Sequence, residues 1–168
     1  LTRAPLCHDL GFALGPRINA GGRVGQADLG VRLLTTQDPA EAARIAEQLN
    51  QYNEERRAIE AAVQEQAEAL LAAQGNRAIA VIAGQGWHPG VIGIVAGRIK
   101  EKAGRPAIVI ALDEDGVGKG SGRSISGVDL GAAVMAAKDS GLLVAGGGHA
   151  MAAGLTVAAD RVDALADF

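Results

Sequence analysis

From Arg77 onward, short runs of Val, Ile, Leu and Ala alternate with segments of helical period, and that alternation limits the fold more than any other feature of the chain. Residues 78–83 read as a strand, 90–103 as a helix and 106–112 as a second strand. Residues 117–124 follow as a third strand, 130–138 as a helix, 154–157 as a fourth strand, and Asp160 opens a closing helix. Elements in this order bury strand faces under helix stripes, so the fold class is α/β, a sheet with flanking helices. The acidic turn Asp113-Glu114-Asp115-Gly116 has hairpin chemistry, which makes the sheet mixed rather than wholly parallel.

A different pattern precedes it. Asp38 followed by Pro39 is a helix start, because the carboxylate accepts an orphan N–H and proline tolerates the first helical position. Ile45, Leu49, Tyr52, Arg56, Ile59, Val63 and Leu70 then recur at steps of three, four or seven, and Gly75 and Asn76 end the run. One narrow stripe is apolar and the rest is wet. A coiled coil and a connector between domains both fit such a helix, and the shortage of bulky seam residues favours the connector. Upstream, residues 1–27 hold no sustained periodicity and are rich in Gly, Pro and Arg, which reads as a loop. Asp28 caps a short helix ending near Thr35. The expected organisation is therefore 1–37, a long connecting helix over 38–76, and an α/β domain over 77–168.

Composition decides how such a domain is packed. The chain of 168 residues holds 34 Ala beside 24 Gly and only 2% aromatic residues, so its core must rely on close backbone approach. Its apolar runs fall short of the roughly 20 residues a membrane span needs, and no signal peptide is legible, so it reads as a soluble protein with no membrane partner. A single cysteine, Cys7, makes no internal disulfide and fits a reducing cytoplasm. No Cys/His cluster has zinc spacing. The N-terminal Leu and a closing helix that stops after about two turns read as a piece of a longer protein. A net charge of −3 excludes a histone-like coat for nucleic acid, yet residues 74–112 sum to +4 while 28–73 sum to −5. Twelve of the 16 basic residues are Arg, whose planar fork suits phosphate, so a local anion site fits despite the acidic total.

Four segments could form it. Gly116, Gly118, Gly120 and Gly122 occupy alternate positions leading into and along the third strand, leaving Val117, Lys119, Ser121 and Arg123 together on the opposite face. That row of donors suits phosphates; a flexible hairpin with solvated charges is the competing reading. Gly146-Gly147-Gly148-His149 places three unencumbered N–H groups before an expected helical turn with His149 at its mouth, which forms either an anion cradle or a tight packing turn. Trp87-His88-Pro89-Gly90 lies between a strand end and a helix start, where an indole beside an imidazole suits an unstacked base and its phosphate, or else the indole is a core anchor. Gly15-Pro16-Arg17-Ile18-Asn19-Ala20-Gly21-Gly22-Arg23 repeats the Arg, Asn and Gly composition, with a solvated loop as the alternative. No Asp/His cluster supports a two-metal site, and no Ser-His-Asp spacing stands out. The segments offer binding machinery without reaction machinery.

Gly15 to Arg23, Gly86 to Ala96, Gly120-Ser121-Gly122-Arg123-Ser124 and the run from Gly146 to Gly154 together resemble the RecJ family of bacterial single-strand-specific exonucleases. The likeness covers nearly the whole chain, with Gly97 where that family more usually has Ser. The glycine-histidine motif alone is shared by the wider DHHA1 group, which includes oligonucleotide phosphodiesterases and the C-terminal part of alanyl-tRNA synthetases. The resemblance implies a two-domain 5′ to 3′ exonuclease for single-stranded DNA, active in DNA repair and recombination. In it an N-terminal DHH domain holds Mn²⁺ or Mg²⁺ and hydrolyses phosphodiesters. On that implication residues 1–37 are the tail of the DHH domain, 77–168 are the DHHA1 domain, and the partners are single-stranded DNA and the chain's own DHH domain. No catalytic or metal-binding residue is expected within this chain, which should be inactive alone. Arg123 and His149 would contact phosphates together with Gly146, Gly147, Gly148, Lys119, Ser121 and Ser124. Trp87 and His88 would border the strand's path, and Arg17, Asn19 and Arg23 would line the domain junction. A phosphodiesterase for short oligonucleotides or cyclic dinucleotides, and a non-catalytic RNA-binding module, are the competing functions.

Overall fold

Alternating apolar residues in the C-terminal part pair into one five-stranded sheet, seen in a computed structural model that describes residues 3–4, 6–75 and 77–168. Its strands are β1 (Ala80–Gln85), β2 (Ala107–Leu112), β3 (Val117–Arg123), β4 (Ala145–His149) and β5 (Ala152–Ala158), in the order β1-β2-β3-β5-β4. Only β1 and β2 run parallel, joined by the crossover helix α5 (Ile92–Ala103); the other pairs are antiparallel, β2 and β3 being joined by the acidic hairpin. Gly116 turns that hairpin at φ +75°, a conformation that disfavours any side chain. The expected helix over 130–138 is α6 (Leu130–Asp139), capped by the Asp129 carboxylate on the Ala132 N–H at 2.9 Å. The last helix is α7 (Val162–Asp167).

One sheet face carries the main core. Val81, Ile108, Ile110, Leu155 and Val157 are buried there against Leu130 and Val134 of α6 and Leu165 of α7, each worth about 1.5–3 kcal/mol of transfer free energy. The β3 glycines face this core. A Cβ on Gly118, Gly120 or Gly122 would stand 2.7, 2.5 or 2.6 Å from Ile110, Leu155 or Leu130 respectively. Neighbouring side chains thus fill the volume that β3 leaves empty, which is how a chain so poor in large residues closes its interior. The opposite face is covered by α5 over β1, β2 and the near side of β3.

The chain divides by its contacts into the units Leu1–Ile59 and Glu60–Phe168. In the first, the segment expected to be a loop is helical from Cys7 to Val24, residues 1, 2 and 5 lying outside the described residues: α1 (Cys7–Asp9), one π-helical turn over Leu10–Leu14, and α2 (Gly15–Val24), followed by α3 (Leu29–Thr35). The glycines read as breakers serve packing. A Cβ at Gly21 would meet Gln26 O at 2.5 Å and Leu49 at 3.2 Å, and one at Gly25 would enter the Tyr52 ring. Leu29, Ile45 and Leu49 form this unit's buried cluster.

The long helix α4 (Pro39–Ala73) begins as expected, with the Asp38 carboxylate accepting from Ala40 N–H at 2.9 Å. Of its apolar stripe, Ile45, Leu49 and Val63 are buried, whereas Leu70 is exposed and Ala67 takes the buried place. Gly75 leaves the helix with φ +69°, and Asn76 lies outside the described residues. Within the second unit, the 60–73 part of α4 is bound to α5 by the Glu60–Arg98 and Glu68–Lys102 ion pairs. Gln74 beyond it donates to the Val81 carbonyl. Among the described residues no helix is long and apolar enough to cross a membrane.

Candidate functional site

Register aligns the donors of β3 with residues far along the chain. Arg123 pairs with Ala152, which pairs with His149. Ser121 pairs with Gly154 and Gly154 with Gly147; Lys119 pairs with Thr156 and Thr156 with Ala145. All nine residues share the face opposite the main core, because Gly120, Gly122, Ala153 and Leu155 between them point into it. Arg123 and His149 therefore stand in one row, two strand spacings apart, which is about 10 Å between their Cα atoms.

Helix α5 borders this face without covering β4 and β5. Its first turn meets β3 at Gly93, where an added Cβ would lie 3.0 Å from Arg123 Nη2 and 3.1 Å from Ser121 Oγ. Arg123 Nη1 donates to Ser121 Oγ at 3.1 Å and to the Gly122 carbonyl at 2.8 Å, so the guanidinium is held flat along its own strand. Lys119 Nζ donates to Thr156 Oγ1 at 3.1 Å. His149 Nδ1 accepts from the Met151 N–H at 3.3 Å, which assigns the proton of a neutral ring to Nε2 and leaves that nitrogen as the donor.

Between these donors lies a bare window. Gly147 and Gly154 are neighbours across β4 and β5, neither has a left-handed φ, and a Cβ on either would meet no atom within 4 Å. Neither backbone conformation nor internal packing accounts for glycine at these two positions. Gly146 and Gly148 differ: a Cβ there would lie 2.8 Å from Val134 or 2.4 Å from the Ala152 carbonyl. They serve the fold, and only the middle glycine of the run faces the open side. His149 ends the edge strand β4, and the helical turn expected after it is instead a tight turn into β5; the small residues of β4 let α6 press on it at Gly131.

Two other expected contacts are engaged internally. Ser124 is 1% exposed and gives its hydroxyl to the Val128 carbonyl at 2.8 Å, closing the 124–128 turn, which removes it from the donor row. Trp87 is 6% exposed; its indole lies against Gly84 and Nε1 donates to Gln66 of α4 at 2.7 Å, the geometry of an anchor. His88 Nδ1 accepts from the Gly90 N–H at 3.0 Å at the entrance to α5. Arg17, Asn19 and Arg23 are exposed on α2 in the first unit, with Arg17 bonded to Asn50 and to the Ala13 carbonyl. Gly154 and Thr156, missed in the sequence, were detectable as the polar alternation between Ala153, Leu155 and Val157.

The face offers a guanidinium, an ammonium, an imidazole and hydroxyls around open backbone, which suits binding of phosphates. It supplies no paired base and nucleophile. Among the described residues there is no group of three or more His, Cys, Asp or Glu that could hold a metal ion.

Residues 74–168 match the DHHA1 domain family. The single-stranded-DNA-specific exonuclease RecJ of Dickeya dadantii is 47% identical over 165 residues, covering 92% of this chain and 28% of that protein. The enzyme of the same name from Bacillus subtilis is 42% identical, covering 93% of this chain and 20% of its own length. Crystal structures of RecJ from Thermus thermophilus with Mg²⁺ and with Mn²⁺ each superpose with a TM-score of 0.78, at 35% and 36% identity. They cover 95% of this chain and 26% and 24% of theirs. The chain thus spans about a quarter of the length of the relatives it matches.

Proposed function

The chain belongs to the DHHA1 domain family, and from its likeness to RecJ enzymes we propose that it is the substrate-holding part of a 5′ to 3′ exonuclease for single-stranded DNA. The observation that carries this reading is the row Arg123–Ala152–His149 beside the Gly147–Gly154 window, on the sheet face that α5 leaves open. The relatives' names and the metal-bound Thermus thermophilus structures support a reading in that class.

In this account Arg123 and His149 Nε2 hold phosphate oxygens, Ser121 and Lys119 extend the donor row, and the glycine pair lets the strand touch backbone. Metal ions, water activation and bond cleavage belong to a DHH domain outside this chain. Metal-assisted hydrolysis needs an in-line phosphate, and fixing that geometry is what this face contributes. Arg17, Asn19 and Arg23 serve at the junction with the DHH domain.

Competition titrations test the reading. A labelled single-stranded oligonucleotide bound to this chain should be displaced by unlabelled single strand far better than by a cyclic dinucleotide or a tRNA, and with Mn²⁺ it should stay uncut. Tighter binding of the dinucleotide or tRNA would move the assignment to the other members of the family. Digestion of the strand by this chain alone would contradict the division of labour.

A further inference from the structure

Beside the donor rows, between residues 86–89 and the β2–β3 turn, lies a cleft of about 350 Å³. The parallel strands β1 and β2 both end here, the crevice where open α/β sheets take ligands. Its apolar lining includes Trp87, Pro89, Ala111, Leu112 and Val117; its polar groups include His88, Asp113, Glu114 and Lys119. The volume is near the lower end for small-molecule sites, room for one heterocycle. Two carboxylates beside a single ammonium disfavour another phosphate, and apolar walls disfavour a solvated ion. A flat ring with both donor and acceptor edges fits all of these groups.

Internal hydrogen bonds hold part of the lining in place. Asp113 accepts from Val117 N–H at 2.7 Å through its carboxylate, and its carbonyl accepts from Gln85 Nε2 at 2.8 Å. His88 has its Nδ1 engaged, leaving Nε2 to donate. Lys119 belongs both to this cleft and to the open face, two residues along β3 from Ser121, roughly 7 Å. That separation is within the reach of one nucleotide.

We propose that this cleft is a nucleobase subsite, which takes one unstacked base of a strand whose phosphates lie along β3, β5 and β4. The proposal rests on the phosphate reading above. With donors and acceptors both present, the cleft takes purine and pyrimidine edges alike, so it orients the strand without selecting sequence.

Amide chemical shifts separate the two readings. Deoxycytidine, which has no phosphate, should move the signals of residues 85–88 and 113–117, whereas inorganic phosphate should move those of Ser121, Arg123, Gly147 and His149. In titrations of the whole chain, an abasic residue placed at one position should weaken binding of a single-stranded oligonucleotide roughly tenfold. Val117→Phe, a strand-compatible residue that fills the cleft, should erase both the deoxycytidine shifts and the abasic penalty while keeping the phosphate shifts. Deoxycytidine shifts absent from the cleft, or equal affinity for intact and abasic strands at every position, would overturn the subsite. Phosphate shifts away from the Arg123–His149 row would overturn the phosphate reading instead, with the deoxycytidine result still deciding the cleft.

Discussion

Adding one methyl group to Gly120 and one to Gly154, which lie on neighbouring strands and opposite faces of the sheet, separates fold from function. At Gly120 the new Cβ would lie 2.5 Å from Leu155 Cδ1 and 2.8 Å from Leu155 Cγ, inside the core. Overpacking of that kind costs about 1–3 kcal/mol. At roughly 2–4 °C per kcal/mol for a chain of this size, Gly120→Ala should melt roughly 2–12 °C lower. At Gly154 the Cβ meets nothing within 4 Å and φ is ordinary, so the reduced freedom of the unfolded chain should stabilise Gly154→Ala by about 0.4–1 kcal/mol. Its methyl would nevertheless stand where a bound strand touches the sheet. Oligonucleotide affinity should fall about tenfold, or about 1.4 kcal/mol. Thermal melting and fluorescence-anisotropy titration of both variants check this. Undiminished binding by Gly154→Ala, or a loss of binding that tracks a lowered melting temperature, would refute the reasoning.

Gly93→Ala should displace Arg123 by a few tenths of an ångström, since its Cβ would lie 3.0 Å from Nη2, and should weaken oligonucleotide binding with little change in melting temperature. Trp87→Phe removes the donor to Gln66 and should cost about 1 kcal/mol in denaturant titrations. Hydrogen bonds from Lys102 and then Gln64 hold the Glu68 carboxyl below its ordinary value of 4.5. The stability from that pair is present above the unfolded value and is lost as pH falls through the lower folded value. Glu68→Gln should therefore make the acid side of the stability profile shallower, a small effect because the pair is at the surface, read by denaturation at a series of pH values.

The β3 donor row was legible because a two-residue period is written directly in Lys119, Ser121 and Arg123, and no packing detail alters which face they share. The long helix was legible from Asp38-Pro39 and its stripe. β4 was not, since Ala145-Gly146-Gly147-Gly148-His149 has little strand propensity and pairs only because β5 and α6 hold it. The helices before Val24 were hidden for a related reason: Gly21 and Gly25 look like breakers until Leu49 and Tyr52 are seen against them. Ser124 shares a motif with Arg123, yet it lies beyond the last residue of β3, where the chain turns inward and its hydroxyl closes a turn. Alternation with Ala153, Leu155 and Val157 places Gly154 on the donor face, but its pairing with Gly147 is visible only across the strands.

The central claim is that Arg123 and His149 hold strand phosphates together, and salt-dependent binding by a double-mutant cycle tests it most directly. Affinity of the unsubstituted chain for a single-stranded oligonucleotide should fall as salt rises, and Arg123→Ala should reduce the log–log slope by about 0.7, the contribution of one phosphate on a single strand. His149→Ala should weaken binding too, and the double variant should lose less than the sum of the two, since either loss disables the shared contact. Salt-independent binding, an unchanged slope in Arg123→Ala, or strictly additive losses would contradict it.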